Sequence, residues 1–419
     1  MKKVETSWIL YDVANSAFVL VVVTTVMPLF FKQYASLSFE NSVSTSNWAF
    51  ANSFAALLVA FSAPILGTIA DYQGFKKKFF LFFFALGIIA TFLLTTIQAN
   101  AWVWCLLIYI CARIGYTAAN IFYDAFLPDI APPDRMDNLS SRGFAWGYIG
   151  SVVPFLAVVA LMFTGEKDPV ANFPVLGAKI GFVIVGLWWL LLSIPFIKNV
   201  TQAYYVAPSR TPVRDSFTRI INTFRAIRQF RKAFLFLLAY FFYIDGVDTI
   251  ITMATAYGVD IGLGPPLLIL AILMIQVVAF PFALLYGRLA EKYSSRNMLL
   301  AGIGVYMIIT LTAFFLPSFD SHRTKVIVFW ILAFLVATSM GGIQALSRSY
   351  FGKLIPPRNS AEFFGFYNIF GKFAAIVGPF LMGMVGRMTG ETRYGVLSLL
   401  ILFIVGGILL LKVENQADA

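Results

Sequence analysis

About twelve stretches of roughly twenty apolar residues run through this chain, and they constrain its fold more than any other feature. They cover 8–31, 48–70, 79–98, 101–126, 143–164, 179–197, 233–257, 265–287, 298–316, 325–350, 363–387 and 394–411. A helix needs about 20 such residues to cross the hydrocarbon of a bilayer. Charged residues make up 12% of the 419, against about 25% in soluble domains. The chain cannot cover a globule with polar surface, so it reads as an all-α polytopic membrane protein.

The net charge of +11 does not point to nucleic acid, because its distribution follows topology. With the N-terminus placed in the cytoplasm, 21 of the 31 Lys and Arg fall in inner segments, 7 in outer ones and 3 within spans. That is a strong positive-inside bias, and it predicts that both termini are cytoplasmic. Met1-Lys2-Lys3 before an apolar run resembles a signal peptide, but the run is too long and no small-residue cleavage site follows. Cys105 and Cys111 share one apolar segment and form neither a disulfide framework nor a metal site. Nothing in the sequence asks for a cofactor.

The longest polar stretch, 198–232, divides the chain into bundles at 1–197 and 233–419. Within it Phe217, Ile220, Ile221, Phe224 and Ile227 share one helical face flanked by Arg214, Arg219, Arg225 and Arg228. Over 214–232 this pattern fits a helix lying on anionic lipid; a solvated linker that fixes orientation fits equally. The halves repeat each other. GTIADYQGFKK (67–77) matches GRLAEKYSSRN (287–297) in an acid four residues after Gly and a base five further on, Asp71 with Lys76 and Glu291 with Arg296. LPDIAPPDR (127–135) matches FGKLIPPRN (351–359) in a Pro-Pro pair. YDVAN (11–15) matches YIDGVD (243–248) in polar pairs, Asp12/Asn15 and Asp245/Asp248. Duplicated six-helix halves are a transporter signature.

A charge inside hydrocarbon is expensive and by default marks function. Asp12, Arg113, Asp124, Asp245, Asp248, Arg348 and Lys372 fall within spans. All but Lys372 lie on the first, fourth, seventh or tenth span, the first helix of each three-helix unit. These four helices are therefore expected to line one path. By depth, Arg113, Asp245 and Asp248 form a substrate or coupling site, with Tyr240 and Tyr243 beside it. Asp12, Asn15, Asn120, Tyr123, Asp124, Gln344 and Arg348 form a cytoplasmic gate. The competing readings are a structural ion pair between Arg113 and an Asp, helix ends snorkelling to water, and a structural Lys372. A buried carboxylate can take up a proton near neutral pH, so the Asp245/Asp248 pair is the candidate for proton coupling. His322, in an outer loop, is the only histidine, which argues against a His relay.

Four motifs carry a family resemblance: WILYDVANSAF at 8–18, YFFYIDGVDTI at 240–250, GGIQALSRSYFGKLIPP at 341–357 and GTIADYQGFKKK at 67–78. Over nearly its whole length the chain resembles the major facilitator superfamily, and within it the branch that includes the yeast vacuole effluxer. Gly67, Asp71, Gly74, Lys76 and Lys77 match the superfamily's loop motif, while Tyr72 and Phe75 stand where Arg is usual. Ile244 and Asp248 depart from a more usual Asn and Gln. The resemblance implies two pseudo-symmetric six-helix bundles, alternating access without ATP, and a conformational latch at the loop motif. From its yeast member it implies amino-acid efflux. The short loops favour a prokaryotic plasma membrane, and the chain is expected to be monomeric.

A proton-coupled exporter of cationic or amphipathic drugs is the rival; GYIGSVVP (147–154) has Val153 where the antiporter signature has Gly. An intramembrane enzyme would need clustered ligands or a nucleophile with its base, and neither HExxH nor GxSxG occurs. GFYNIFGK (365–372) has the wrong spacing for a P-loop and lies in a span. Charges of both signs on paired halves suit an alternating site better than a channel.

Overall fold

The computed structural model describes residues 2–39, 41–207, 230–260 and 265–413. Among them twelve helices are long and apolar enough to cross a membrane. They are α1 (Lys3–Ala35), α2 (Phe50–Ala70), α3 (Phe75–Thr96), α4 (Trp102–Ile130), α5 (Met136–Thr164) and α6 (Val175–Asn199), then α7 (Arg231–Met253), α8 (Leu270–Tyr293), α9 (Ser295–Ser318), α10 (His322–Leu354), α11 (Pro357–Thr389) and α12 (Thr392–Leu411). No strand occurs among the described residues, only one bridge, Tyr72 with Val206. In lipid a helix satisfies its own backbone, which is why this architecture follows from the composition.

Several helices outrun their apolar cores. α5 begins at Met136 rather than 143, and α10 runs to Leu354 rather than 350. Hydropathy marks only the hydrocarbon, whereas a helix continues while its ends find polar partners. The extra turns carry Asp137, Ser140 and Lys353. The amphipathic stretch predicted over 214–232 lies almost wholly outside the described residues.

The duplication is visible in the packing. In the first half α1 packs on α6, and α4 on α2 and α3; in the second α7 packs on α12, and α10 on α8 and α9. Two compact units result. One holds α1–α4, α5 from Trp146, α6, and the start of α11 at Pro357–Gly365. The other holds Ala131–Ala145, α7–α10, α11 from Phe366, and α12. Thus the first turns of α5 and α11 each cluster with the half to which they do not belong in sequence.

Glycine sets the closest crossings. At the α3–α4 contact, a Cβ on Gly115 would stand 2.3 Å from the Gly87 nitrogen, and one on Gly87 2.6 Å from the Trp189 ring. The helices meet backbone to backbone, the usual way to gain dispersion energy where lipid removes the hydrophobic drive. α1 is interrupted instead. Wide π-type turns at Phe18–Val23 and Phe31–Ala35 flank a break at Thr24–Thr25. Pro28 cannot donate to the carbonyl four residues back. The Thr24 hydroxyl caps Leu20 O at 2.7 Å, and the Thr25 hydroxyl donates to the same carbonyl.

Gly115→Val should lower stability by about 1–3 kcal/mol through overpacking. Gly304, which has open space at its Cβ, should accept Ala with little change. Thermal unfolding in detergent checks both; equal losses would remove the close α3–α4 contact as their cause.

Candidate functional site

The polar groups of the first unit gather at two levels. At one, Asn15 of α1 donates from Nδ2 to Oδ1 of Asn120 on α4 at 3.0 Å. Nearby, Trp8 Nε1 donates to Tyr123 O at 3.3 Å while the Tyr123 hydroxyl donates to Trp8 O at 3.0 Å. The two rings stack at 4.6 Å. Tyr123 is fully engaged in clasping α1 to α4. Asp12 is buried, and Asp124 half-buried. At the other level Arg113 is half-buried, its guanidinium 5.8 Å from the Tyr116 ring, which in turn stacks on Phe18 in the first π-type turn of α1. Arg113 has no carboxylate partner among the described residues.

The loop between α2 and α3 grips the start of α11. Gly67 lies so close that a Cβ there would stand 2.4 Å from Ala361 O. Asp71 is fully buried and accepts both leading amides of α11, from Ala361 at 2.9 Å and Glu362 at 3.1 Å. A carboxylate at a helix N-terminus satisfies orphan N–H groups and meets the positive end of the dipole. Lys76, also fully buried, donates to Asp129 at 2.7 Å, Ser360 Oγ at 2.8 Å and Ala125 O at 3.1 Å. Gly74 turns the chain at φ 77°, where only glycine is unstrained, and Lys77 reaches Val200 O at 2.9 Å. Burial pushes the Asp71 carboxyl up to about 7, against the pull of Lys76 and of the two amides, with Glu362 adding to the rise.

Sequence reasoning missed the strap over this loop. After α6, Gln202 accepts from Gly74 N at 2.9 Å, and Ala203 N and Tyr204 N both donate to Asp129 Oδ1, at 2.9 and 2.8 Å. Val206 N donates to Asp71 O at 2.9 Å. These are mostly backbone contacts, so composition carried no sign of them.

The second unit repeats the device with other residues. Asp137, in the first turn of α5, is buried and accepts from Ser349 at 2.6 Å, Ser295 at 2.7 Å and Lys353 at 2.5 Å. Arg348 is buried too. Its Nε donates to Ser140 Oγ at 2.9 Å, Nη2 donates to Ser140 O at 3.1 Å, and the guanidinium lies 4.3 Å from the Phe144 ring. A Cβ on Gly287 would stand 2.6 Å from Ser141 Cβ, as Gly67 does against Ala361. The carboxylate here comes from α5 rather than from Glu291, which is exposed. Arg296 donates to Leu411 O at 2.6 Å. Asp137 lay in a stretch read as loop; its position three residues before Ser140, in a polar turn ahead of an apolar run, was the available signal.

Deeper in this unit, Tyr243 is buried with its hydroxyl 2.7 Å from Ser347 Oγ, and Tyr240 stacks on Tyr367 at 4.3 Å. Gln344 and Asp248 are half-buried. Asp245 is fully buried, and its Oδ1 accepts from Gly378 N of α11 at 2.9 Å. Lys372 lies in α11, and its side chain is outside the described residues.

Twelve helices in duplicated halves, with charges buried inside them, define a membrane-integral transporter of the major facilitator class. The solved transporter FucP of that superfamily, in its outward conformation, superposes at a TM-score of 0.71 over 99% of this chain and 98% of that one, at 16% identity. The chain belongs to the vacuole effluxer Atg22-like family, whose model matches residues 1–418. It is 47% identical to an uncharacterised MFS-type transporter, YxiO of Bacillus subtilis (strain 168), over 99% of this chain and 96% of that one. It is 22% identical to autophagy-related protein 22 of Saccharomyces cerevisiae (strain ATCC 204508 / S288c), over 92% and 87%.

Two outcomes follow for the buried networks. Lys76→Met should cost about 3–5 kcal/mol, since it leaves Asp129 buried and short of a partner, whereas Lys77→Met should cost far less; thermal unfolding compares them. For Asp71 the folded value, about 7, exceeds the ordinary 3.8. Its burial against α11 is fully favourable below about pH 4 and weakens as pH rises through 7. Hydrogen exchange at Ala361 and Glu362, corrected for intrinsic rates, should therefore speed up between about pH 4 and 7 and level off above that. The extra acceleration should vanish in Asp71→Asn; its persistence there would assign the effect to another group.

Proposed function

We propose that the protein is an alternating-access exporter of amino acids or related zwitterions, coupled to protons and resident in a bacterial plasma membrane. The observation that carries this reading is Arg113, a half-buried guanidinium within a span, with an aromatic ring beside it and no ion-pair partner among the described residues. A cation kept so deep without a partner is poised for an anionic ligand, and a carboxylate fits its planar fork. Asp245 and Asp248 supply negative charge on α7 for an ammonium group or a proton. The break in α1 at Thr24–Thr25 supports a site at this depth, because interrupted helices recur at transporter binding sites. The family's description as vacuole effluxers favours export, and the 47% identical relative is bacterial.

In this reading the Asp71–Lys76–Asp129 and Asp137–Lys353–Ser349 networks are latches at the cytoplasmic ends of the helices, on the side assigned by the positive-inside bias. Asp12, Asn15, Asn120, Tyr123, Asp124, Gln344 and Arg348 line the adjoining gate. The protein acts as a monomer, and its basic linker rests on anionic lipid.

The test is thermal stabilisation of the purified protein by a panel of amino acids, peptides, sugars, organic cations and metal ions. A ligand at 100 times its Kd adds about 2.7 kcal/mol. A zwitterion should raise the Tm of the wild type and fail to do so in Arg113→Ala. Stabilisation by organic cations alone, or by zwitterions regardless of Arg113, would overturn the reading.

A further inference from the structure

Asp245 sits where a negative charge is hardest to keep. It lies in α7 at 0% exposure, and its Oδ1 accepts from one backbone amide, Gly378 N. Oδ2 is buried and has no hydrogen-bond partner. One turn on, the Thr249 hydroxyl is buried and in the same condition. Both side chains press on the same residue of α11. A Cβ at Gly378 would stand 2.1 Å from Thr249 Oγ1 and 2.7 Å from Asp245 Oδ1. The two oxygens therefore share one sealed contact between α7 and α11, closed by a glycine and followed by Pro379, which interrupts the α11 ladder.

Among the described residues no cation pairs with this carboxylate. α12 has no titratable residue within 400–411. On α10, Arg348 is bound to Ser140 and Lys353 to Asp137. On α8 the charged residues are Arg288, Glu291 and Lys292, exposed at its far end. On α11 Glu362 and Arg387 lie near the two ends, with Lys372 between them. On α7 itself the nearest charge is Asp248, one turn away and of the same sign. A bound metal ion is a poor fit, since hard cations take about six oxygen ligands and the contact supplies two. A proton needs no room, removes the charge, and lets Oδ2–H donate towards Thr249 Oγ1. It also relieves the repulsion from Asp248.

We propose that Asp245, Thr249 and Gly378 form the proton-binding site of this transporter, with the proton on Oδ2 of Asp245 in the conformation described. This deepens the transport reading and rests on it for its physiological meaning. It separates the two aspartates: Asp245 carries the proton, and Asp248, half-buried, faces the substrate. Uptake converts carboxylate and H⁺ to carboxylic acid. Release returns the proton to water when α11 withdraws from α7 and uncovers Oδ2. Thr249 positions the proton, and Gly378 closes the site.

Infrared spectroscopy of the purified protein near neutral pH tests this without any substrate. In an Asp71→Asn background, which removes the other carboxyl raised to about 7, a carboxylic C=O band is expected that is lost on adding Asp245→Asn, retained with Asp248→Asn, and moved to higher frequency with Thr249→Val as its hydrogen-bond partner goes. Asp245→Asn mimics the neutral acid, so it should fold with an undiminished Tm. Gly378→Ala leaves the carboxyl in place but forces the helices apart, so deuterium exchange of the band should accelerate at least tenfold. In that background a folded Asp245→Asn protein with the band intact would overturn the proposal, as would exchange unaffected by Gly378→Ala. If the band behaves as expected but no zwitterion stabilises the protein, the proton site stands and the amino-acid reading falls.

Discussion

Hydrocarbon offers no hydrogen bonds, so a buried charge or buried helix end finds its partners within the protein or goes without. The backbone meets that demand by helix formation along twelve spans. The ends of α5 and α11 meet it with carboxylates: Asp71 takes the first amides of α11, and Asp137 sits in the first turn of α5. Each carboxylate is held with a lysine in the same buried network, Lys76 or Lys353. Removing one member leaves the other buried and uncompensated, which makes these networks all-or-none rather than graded.

That property suits a carrier. A contact that is either complete or broken separates two conformations cleanly, whereas exposed ion pairs worth a few tenths of a kcal/mol would not. The glycines belong to the same logic. Gly67 against Ala361 and Gly287 against Ser141 allow approaches that any side chain would block, so the polar groups around them are fully desolvated when the contact is made. The strap from Gln202 to Val206 adds backbone bonds to the first network and ties the linker that follows α6 to the same loop. Arg113 and Asp245 stand apart from this pattern. Each is buried to some degree without a charged partner among the described residues, which is the condition expected of groups whose partner comes and goes.

Much of this was legible in the residues alone. Twelve spans, duplicated halves and the loop motif at 67–78 follow from hydropathy and spacing, because membrane thickness imposes a length and helices impose a period. Asp71 and Lys76 were found because a motif preserved their spacing. Asp137 was not, because it lies in a polar turn that hydropathy assigns to a loop. The expected counterpart, Glu291, is exposed; α5 supplies the carboxylate at the equivalent place from the opposite side of the contact. Tyr123 carries a polar group that the sequence shows, but that its hydroxyl donates to Trp8 O and its ring packs on Trp8, Tyr11 and Phe196 is visible only in the fold.

Sequence by itself determined the class of solvent, the number of spans, their repeat and which charges fall within spans, since these depend on local composition and on a bilayer of known thickness. Only the tertiary structure decided which of those charges are neutralised and which are not. Arg348 looks in sequence as anomalous as Arg113, while Lys76 and Asp137 look like loop residues. Partnership is settled by residues up to 291 positions away, as between Asp71 and Glu362, and no local pattern encodes a contact at that distance.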